Sequence, residues 1–294
     1  MKQRLLITGG TGFIGRNLIE TLSDKYAILS PNHKELDLTD SAEVYQYIKL
    51  HPIDVVIHCS NIGGTKKAVQ LPDIAEINLR MFINVLRCKK YYKKMIYFGS
   101  GAEYDKSRDL KNVKEEEFGM FVPVDSYGFY KYVCSMLTEK EKNVINLRLF
   151  GVYGKYEDFE NRFISYAICR TLLHKPVIIQ KNVMFDYLYI RDLIQIVDYF
   201  IQHNAHYSSY NVGHGIPMDL AGIAHQVLKL SPHTVPIRIT GKGLNKEYGC
   251  DITRLKKEIK NIRYTDFNAS LEELREYYGS IMPVLKHNIN LRHD

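Results

Sequence analysis

Short apolar runs alternate with amphipathic stretches along the first half of the chain. The runs predict β-strands at residues 5–8, 27–29, 36–37 (the end of a third strand), 54–58, 94–98 and 144–149. Between them, apolar side chains recur at the spacing of amphipathic helices, at residues 13–22, 41–50, 74–90 and 126–140. The apolar run at 55–57 is uninterrupted, as in a parallel strand that is covered on both faces. The alternation predicts an α/β fold with a doubly wound parallel sheet.

Beyond residue 154 the pattern is less regular. Helices are predicted at 163–173 and 192–203, strands at 177–179 and 210–213, and helices without any parallel-type strand from 217 onward. We therefore expect one domain formed by residues 1–154, to which residues 186–213 return. Residues 155–185 and 214–294 are expected to form a smaller, partly discontinuous lobe. A crevice between two such parts is a usual place for a small ligand.

Composition narrows the class of protein. The 294 residues are 45% hydrophobic and 25% charged, with a net charge of +7, which suits a globular protein. There is no long apolar segment and no signal-peptide pattern, so a cytoplasmic location away from membranes is expected. The five scattered cysteines lack metal-ligand spacing, which predicts free thiols and no bound metal. The positive charge suits an anionic ligand or an ordinary solvated surface, and no basic run with aromatic residues favours nucleic-acid binding.

A glycine-rich segment joins the first predicted strand to the first predicted helix. At the spacing of Gly9, Gly12 and Gly15, the first glycine permits a tight turn, the second lets a pyrophosphate approach, and the third packs helix on strand. The amides at the helix start, Phe13 and Ile14, then face the phosphates. Because the segment lies between a strand and a helix in an alternating pattern, we predict a dinucleotide-binding Rossmann domain rather than a plain turn.

The end of the second predicted strand bears on which nicotinamide cofactor binds. A carboxylate about twenty residues after the glycines would bind the ribose hydroxyls of NAD. The chain instead has Ser30, Asn32 and His33 there, and the first carboxylate after the second predicted strand is Glu35. Polar and basic groups accommodate a 2′-phosphate, so NADP is the expected cofactor, with NAD as the alternative. The same residues also suit an ordinary turn.

The motifs together resemble the extended short-chain dehydrogenases/reductases, the epimerase/dehydratase family that acts on nucleotide sugars. The matching segments are residues 9–15, 36–38, 56–60, 98–100, 127–131, 148–154, 185–192 and 210–213. The resemblance covers nearly the whole chain. It implies a nicotinamide-dependent enzyme with a small-molecule substrate, a nucleotide sugar, and a homodimer formed by the helices at 74–90 and 126–140.

The resemblance assigns catalysis to Ser100, Tyr127 and Lys131. In the family, the tyrosine exchanges a proton with the substrate oxygen as hydride moves. The lysine holds the nicotinamide ribose and lowers the pKa of the tyrosine. Tyr127 and Lys131 are one helical turn apart and share a helix face. Tyr45 and Lys49 have the same spacing, but no hydroxyl-bearing strand end leads to them. For Tyr127 and Lys131, a plain surface pair is the alternative.

The resemblance also implies a cofactor site. Asp37 and Leu38 are expected to touch the adenine, and residues 59–61 to line the middle of the cofactor. Asn78 is expected to support that loop by hydrogen bonds, although a solvated helix asparagine is the alternative. The expected cofactor-binding residues are Gly9, Gly12, Phe13, Ile14, Gly15, Ser30, Asn32, His33, Asp37, Leu38, Cys59, Ser60, Asn61, Asn78, Tyr127 and Lys131.

Residues 101–103 depart from the family pattern and bear on the reaction. Related dehydratases carry Asp-Glu directly after the catalytic hydroxyl residue, and GDP-fucose synthases carry a cysteine at the second position. The chain has Gly101 and Ala102 there. Neither is an acid or base, so dehydration and carbon-acid epimerisation are not expected. Glu103 is displaced by one residue and should point to the other side of an extended segment. What remains is reduction of a 4-keto sugar or 4-epimerisation, and the short connection 30–35 between strands favours the reductase.

Two further departures concern the substrate. The asparagine of the family's Arg-x-x-Asn-x-Tyr-Gly segment is Gly151, and the arginine that precedes an Asp-Tyr pair is Phe185. The second change removes a charge-assisted phosphate contact, for which Arg162 or Arg191 is a candidate replacement. The expected substrate-binding residues are Ala102, Glu103, Gly151, Arg162 and Phe163.

Two other kinds of function stay open. One is a non-catalytic dinucleotide-sensing protein with the same fold, which the tyrosine–lysine pair disfavours. The other is an NADP-dependent reductase of a small carbonyl compound unrelated to sugars, whose lobe would lack phosphate-binding cations.

Overall fold

The structure is a computed structural model that describes residues 2–63 and 73–290, without the side chains of 283–290. Within these ranges the α-helices are α1 (Phe13–Leu22), α2 (Ser41–Leu50), α3 (Ile74–Arg87), α4 (Ser126–Thr138), α5 (Phe163–Leu172), α6 (Ile190–Gln202), α7 (Leu220–Leu230), α8 (Thr253–Glu258) and α9 (Phe267–Asn290). The β-strands are β1 (Arg4–Thr8), β2 (Ala27–Leu29), β3 (Val55–His58), β4 (Lys94–Ser100), β5 (Leu110–Val113), β6 (Val144–Leu149), β7 (Val152–Tyr153), β8 (Val177–Ile179), β9 (Met184–Phe185), β10 (Leu188–Tyr189), β11 (Ser209–Val212), β12 (Met218–Asp219), β13 (Ile237–Ile239) and β14 (Tyr248–Cys250). Among the described residues, no helix is both long enough and apolar enough to cross a membrane.

A parallel sheet of six strands, in the order β2-β1-β3-β4-β6-β11, is the centre of the fold. Every neighbouring pair in it is parallel. The chain runs from β1 outward to β2 and then returns to β3 on the other side. The direction of winding therefore reverses between β1 and β3, and ligands bind at the carboxyl ends of strands beside such a reversal. The expected doubly wound α/β class is confirmed.

Helices cover both faces of this sheet. On β1, Leu5 and Ile7 belong to a buried cluster that includes α1 and α6. Leu6 faces the other way and packs with α2, α3 and α4. On β3, Ile57 belongs to the first cluster and Val56 to the second. Because both faces exclude water, the strands are continuous apolar runs.

The prediction of a strand that ends at residues 36–37 is wrong, because this segment forms turns. The Asn32 carbonyl accepts the N–H groups of Glu35 and Leu36, both at 3.0 Å. Leu36 and Leu38 are buried with α2 and α3, which produces an apolar signal without a strand. β2 therefore leads through turns to α2. The connection 30–35 does not join two strands, so its length does not distinguish a reductase from a 4-epimerase.

The expectation of no parallel-type strand beyond residue 217 is also wrong. β13 pairs in parallel with β8, and β14 pairs in parallel with β5. Both new strands have three residues. A strand that short has no periodicity that separates it from a turn.

A second sheet, in the order β12-β9-β14-β5, takes its strands from distant parts of the chain. β5 lies between β4 and α4 in sequence, whereas the other three strands follow β6. Tyr248 on β14 pairs with Leu110 on one side and with Phe185 on the other. This sheet brings residues of the C-terminal part of the chain next to the carboxyl end of β4.

Glu103 lies in the interior, so its expected role as a substrate residue is wrong. The segment Gly101–Tyr104 is a single 3₁₀ turn and not an extended strand. The Glu103 side chain has no exposed surface, and it accepts hydrogen bonds from Arg148 Nε at 2.7 Å and from the Ser100 N–H at 2.9 Å. Ala102, also expected at the substrate, is buried in the same turn. The turn thus directly follows β4, and neither Ala102 nor the Glu103 carboxylate is exposed to a ligand.

Candidate active site

The glycine segment after β1 forms a cradle at the N-terminus of α1. Gly9 has a φ of +70°, and a Cβ there would lie 2.8 Å from the backbone of Ser60. The Gly12 N–H donates to the Gly9 carbonyl at 3.0 Å. A Cβ on Gly15 would lie 2.4 Å from the Gly9 oxygen, so the third glycine allows α1 to pack on β1. A Cβ on Gly12 would meet only that oxygen, at 3.3 Å, which leaves open space beside Gly12.

α1 begins without a side-chain cap. Within the described residues no side chain caps its first N–H groups, and its first turn holds no acidic residue. Unpaired amides at the positive end of a helix bind anions, and Phe13 and Ile14 contribute the first of them. The residues present therefore fit a dinucleotide pyrophosphate, with amides available and room beside Gly12.

The residues after β2 lie near this cradle. The Ser30 hydroxyl donates to the Ile7 carbonyl at 3.0 Å, so Ser30 is held against β1. Asn32 Nδ2 donates to the Glu35 carboxylate at 2.8 Å. Asn32 and His33 are exposed. The turn thus returns Glu35 towards Asn32, an arrangement that the sequence pattern did not predict.

Asp37 and Leu38 form the next turn. The Asp37 carboxylate accepts the N–H and the hydroxyl of Thr39, both at 2.8 Å. The hydrogen bond from the Thr39 N–H lowers the pKa of Asp37. Asp37 is exposed, whereas the Leu38 side chain packs in the core and its carbonyl accepts Asn84 Nδ2 at 3.0 Å. Of the two, only the Asp37 side chain is accessible to a ligand.

Asn78 on α3 holds the loop after β3. Its buried side chain accepts the Ile62 N–H at 2.9 Å and donates to the Ile62 carbonyl at 2.7 Å. These bonds hold the backbone of Ile62, which directly follows residues 59–61. Burial raises the pKa of the Cys59 thiol, although the charge of Lys131 opposes that shift. Cys59 is therefore a neutral thiol and not a nucleophile.

Ser100, Tyr127 and Lys131 meet at the carboxyl end of β4. Ser100 is the last residue of β4, and the other two lie on the first turns of α4, which packs against that strand. Lys131 Nζ donates to the Phe98 carbonyl at 2.5 Å and lies 6.0 Å from the centre of the Tyr127 ring. Ser100 Oγ accepts the Ala102 N–H at 3.2 Å. A hydroxyl, a phenol and an ammonium group therefore share one end of the sheet.

Lys131 is a buried cation without a carboxylate partner. Its side chain is 5% exposed, and no Asp or Glu in the described ranges forms an ion pair with it. The rings of Tyr97 and Tyr130 lie 4.8 and 5.4 Å from its ammonium group. Burial, helped by the Lys131 charge, lowers the pKa of His58 to about 3, so His58 stays neutral beside it. A buried charge that no protein group neutralises is typical of a ligand site.

Gly151 and Phe185, the two departures from the family pattern, touch each other. A Cβ on Gly151 would lie 2.1 Å from the Asp186 carbonyl oxygen and 2.7 Å from the Phe185 ring. An asparagine at 151 does not fit while Phe185 occupies this place. Gly151 thus has a packing role in place of the expected substrate contact.

Arg162 and Phe163 lie at the start of α5. Arg162 is exposed and Phe163 is half-buried. Burial raises the pKa of the neighbouring Glu157 to about 8, although the Arg162 charge lowers it. Arg191, the other candidate for a phosphate contact, pairs with Glu273 on α9 at 2.7 Å. Arg191 is therefore engaged at the protein surface.

Tyr248 and Lys106 stand at the site, although no sequence motif indicated them. A Cβ on Gly101, the residue after Ser100, would lie 2.6 Å from the Tyr248 hydroxyl oxygen. Lys106 Nζ lies 5.3 Å from the centre of the Tyr127 ring and pairs with Asp125 at 3.2 Å. Strand pairing and turns bring both residues there, and neither leaves a local signal in the sequence.

A family model described as the NAD dependent epimerase/dehydratase family matches residues 5–213. The chain belongs to this family. GDP-L-colitose synthase of Yersinia pseudotuberculosis is 27% identical over 183 residues, which are 56% of this chain and 59% of that enzyme. The chain therefore matches less than two thirds of the length of that relative. The family expected from the motifs is confirmed.

Two solved structures of related enzymes have the same fold. A GDP-D-glycero-L-gluco-heptose synthase from Campylobacter jejuni, solved in the presence of NADPH, has a TM-score of 0.85 at 19% identity and covers 94% of this chain and 98% of its own. UDP-glucose 4-epimerase from Thermotoga maritima, solved with UDP-glucose, has a TM-score of 0.82 at 20% identity and covers 95% and 100%. These comparisons establish the shared fold.

Gly12→Val is expected to weaken dinucleotide binding without unfolding the protein. The valine would extend into the open space beside the α1 amides, where a pyrophosphate lies in this fold. We expect affinity for NADPH to fall about tenfold or more in a fluorescence titration, a loss of about 1.4 kcal/mol or more. The contrasting variant is Gly15→Ala, whose methyl group would press on the Gly9 carbonyl and lower thermal stability. Unchanged NADPH affinity in a folded Gly12→Val protein would rule out this cradle.

Proposed function

We propose that the protein is an NADP-dependent reductase of nucleotide-linked 4-keto sugars. The observation that carries the proposal is the grouping of Ser100, Tyr127 and Lys131 at the end of β4, followed by two residues without acid or base. We assign the substrate to the crevice between a cofactor domain, residues 1–154 and 186–213, and a lobe formed by residues 155–185 and 214–294.

Each of the three residues has a separate task in this proposal. The nicotinamide cofactor, when bound, supplies the hydride for the substrate carbonyl carbon. Tyr127 donates its phenolic proton to the carbonyl oxygen as negative charge develops there. The Ser100 hydroxyl donates a hydrogen bond to the same oxygen. Lys131 binds the cofactor ribose, and its buried positive charge favours the phenolate that Tyr127 leaves.

The turn after Ser100 supports reduction over dehydration. Removal of water requires an acid and a base beside the sugar. Gly101 and Ala102 provide neither, and the Glu103 carboxylate is bound to Arg148 in the interior. Reduction needs one hydride and one proton, and Tyr127 can supply the proton.

We propose GDP-linked 4-keto sugars as the first substrates to test. Two of the similar enzymes are named for products linked to GDP, a colitose and a heptose. Phe185 replaces the arginine of the family at the diphosphate, and we assign that contact to Arg162 at the start of α5. Phe163, beside it, is then a wall of the sugar site.

A cytoplasmic location is proposed from the cysteines. All five are free thiols, four of them buried, as is usual in a reducing compartment. Cell fractionation tests this location, and recovery outside the cytoplasm would contradict it.

Tyr127→Phe removes one hydroxyl group and is expected to preserve the fold and cofactor binding. Because the proton donor is lost, the single-turnover rate of 4-keto reduction should fall about a hundredfold or more. Lys131→Ala should lower both the rate and the NADPH affinity. The assay is NADPH absorbance with the wild type and both variants on a panel of nucleotide 4-keto sugars.

Tyr45→Phe is the matched control for this series. Tyr45 lies on α2, where its hydroxyl and that of Tyr91 are 2.8 Å apart at the surface, so its loss should leave turnover unchanged. Normal turnover by Tyr127→Phe would remove Tyr127 from the mechanism. A 4-epimerase would interconvert sugars without net consumption of NADPH, so product analysis beside the absorbance assay separates the two reactions.

NADPH is expected to bind more tightly than NADH. Exposed Asn32 and His33 follow β2, and Glu35 is held by Asn32, which favours a 2′-phosphate over bare ribose hydroxyls. Direct titration of both cofactors measures the preference. If NADH bound about tenfold more tightly, a difference of about 1.4 kcal/mol, the assignment of NADP would be wrong.

We propose a homodimer through α3 and α4. Ile83 on α3 and Phe129 and Met136 on α4 are 36%, 43% and 41% exposed, and exposed apolar side chains on neighbouring helices suit a helix-to-helix interface. Met136→Glu should then shift the mass in light scattering from dimer to monomer. A monomeric wild type would contradict the proposal.

A further inference from the structure

A cavity of about 820 Å³ lies at the amino ends of the central strands β1, β3 and β4. The glycine cradle, Ser100 and Tyr127 lie at the carboxyl ends of the same sheet. The cavity and the candidate active site are therefore at opposite ends of the sheet. Its volume is within the range of pockets that hold small molecules, about 300–1,000 Å³.

The central sheet places three charged residues in one row along this cavity. Arg4 begins β1, Asp54 directly precedes β3, and Lys93 directly precedes β4. The Arg4 carbonyl accepts the Asp54 N–H at 2.9 Å, and the Asp54 carbonyl accepts the Lys93 N–H at 3.0 Å. Because neighbouring strands are about 4.8 Å apart, residues that are distant in the sequence share one wall of the cavity.

Positive charge predominates in the lining. Lys2, Arg4, Lys90 and Lys93 supply four cations, and among the described residues Asp54 is the one carboxylate of the lining. This carboxylate is already engaged, since its oxygens accept the Arg4 N–H at 2.8 Å and pair with Lys93 Nζ at 2.8 Å. Four cations and one carboxylate leave a net charge of +3.

Three of the four cations have no carboxylate partner within residues 2–63 and 73–290, namely Lys2, Arg4 and Lys90. Lys2 Nζ donates to the Ser23 carbonyl at 3.4 Å, and Lys90 Nζ lies 4.9 Å from the centre of the Tyr91 ring. A carbonyl and a ring orient a cation but carry no net negative charge. A concave surface lined by one sign of charge concentrates ions of the opposite sign.

We propose that this cavity binds a small anion with two or more phosphate groups, such as a nucleoside diphosphate. Phosphate oxygens match ammonium and guanidinium donors, and the Arg4 guanidinium can bind two oxygens at once. One phosphate monoester carries a charge of about −2 at most, which is less than the +3 of the lining requires. The concave shape favours a small ligand over a nucleic acid, which binds along an extended basic surface.

The proposed site does not overlap the cofactor cradle, because the two lie at opposite ends of β1. The anion can therefore bind while NADPH occupies the cradle. Arg4 and Lys90 are exposed, so salt screens their attraction for the anion. Affinity should accordingly fall as the salt concentration rises.

The test is a calorimetric titration of the full chain with inorganic tripolyphosphate at saturating NADPH, which keeps the probe out of the cradle. The variants are Lys90→Ala and Arg4→Gln, each of which removes one exposed cation from the lining. Each should lower the affinity for tripolyphosphate about fivefold or more, through loss of one charge-assisted contact at a partly solvated site. The affinity for NADPH should stay unchanged in both.

Lys140→Ala is the matched control. Lys140 is an exposed lysine between α4 and β6, at the same end of the sheet but outside the cavity lining. Its removal changes the net charge of the protein by the same amount as the other two substitutions. The control should therefore bind tripolyphosphate as the wild type does.

Loss of affinity in the two cavity variants but not in Lys140→Ala would support the site. A wild-type Kd above about 1 mM at about 0.15 M salt, or equal affinity in all four proteins, would overturn the proposal. Binding of a DNA duplex more than about tenfold tighter than tripolyphosphate, with the same dependence on Arg4 and Lys90, would also overturn it in favour of a nucleic-acid surface. Either cavity variant is decisive alone, so one that failed to fold would leave the other to give the result.

Discussion

The buried ion pair between Glu103 and Arg148 holds the end of β4 in place. Neither side chain has exposed surface, and Arg148 also donates to the Ser135 hydroxyl on α4 at 2.8 Å. Glu103 accepts the N–H of Ser100 as well. One network therefore connects β4, which ends at Ser100, to α4, which carries Tyr127 and Lys131. Interior charges are tolerated when further hydrogen bonds satisfy them, and their best-attested benefit is a defined geometry.

A second buried charge, Lys131, lies at the same end of the sheet, but it has no ion-pair partner among the described residues. Lys131 is surrounded by tyrosine rings and a carbonyl, without a carboxylate within the described chain. Glu103 is satisfied by its own protein, whereas Lys131 keeps a positive charge that a ligand can use. The difference between the two explains why one belongs to the framework and the other to the proposed chemistry.

Local signals predicted most of the first half of the fold. The glycine loop, the uninterrupted run of β3 and the helix capped by Asp40 each depend on neighbours within a few residues. The wrong predictions concern segments whose conformation is determined by tertiary contacts. Buried leucines at 36 and 38 suggested a strand, and a 3₁₀ turn moved Glu103 inward. Tyr248 reaches the proposed site through strand pairing alone, and the contact between Gly151 and Phe185 is equally non-local.

The second sheet combines strands from distant parts of the sequence, and this limits where the chain can be cut into separate domains. In the sequence β5 lies between β4 and α4. In space it is an edge strand of the sheet that it forms with β9, β12 and β14. A cut after β11 would strip β5 of its partner and expose its unpaired backbone. The second sheet is therefore not part of a detachable C-terminal module. A chimaera that takes its C-terminal part from a relative therefore also has to take residues 105–125 from that relative. The second sheet is thus encoded by two separate segments of the sequence.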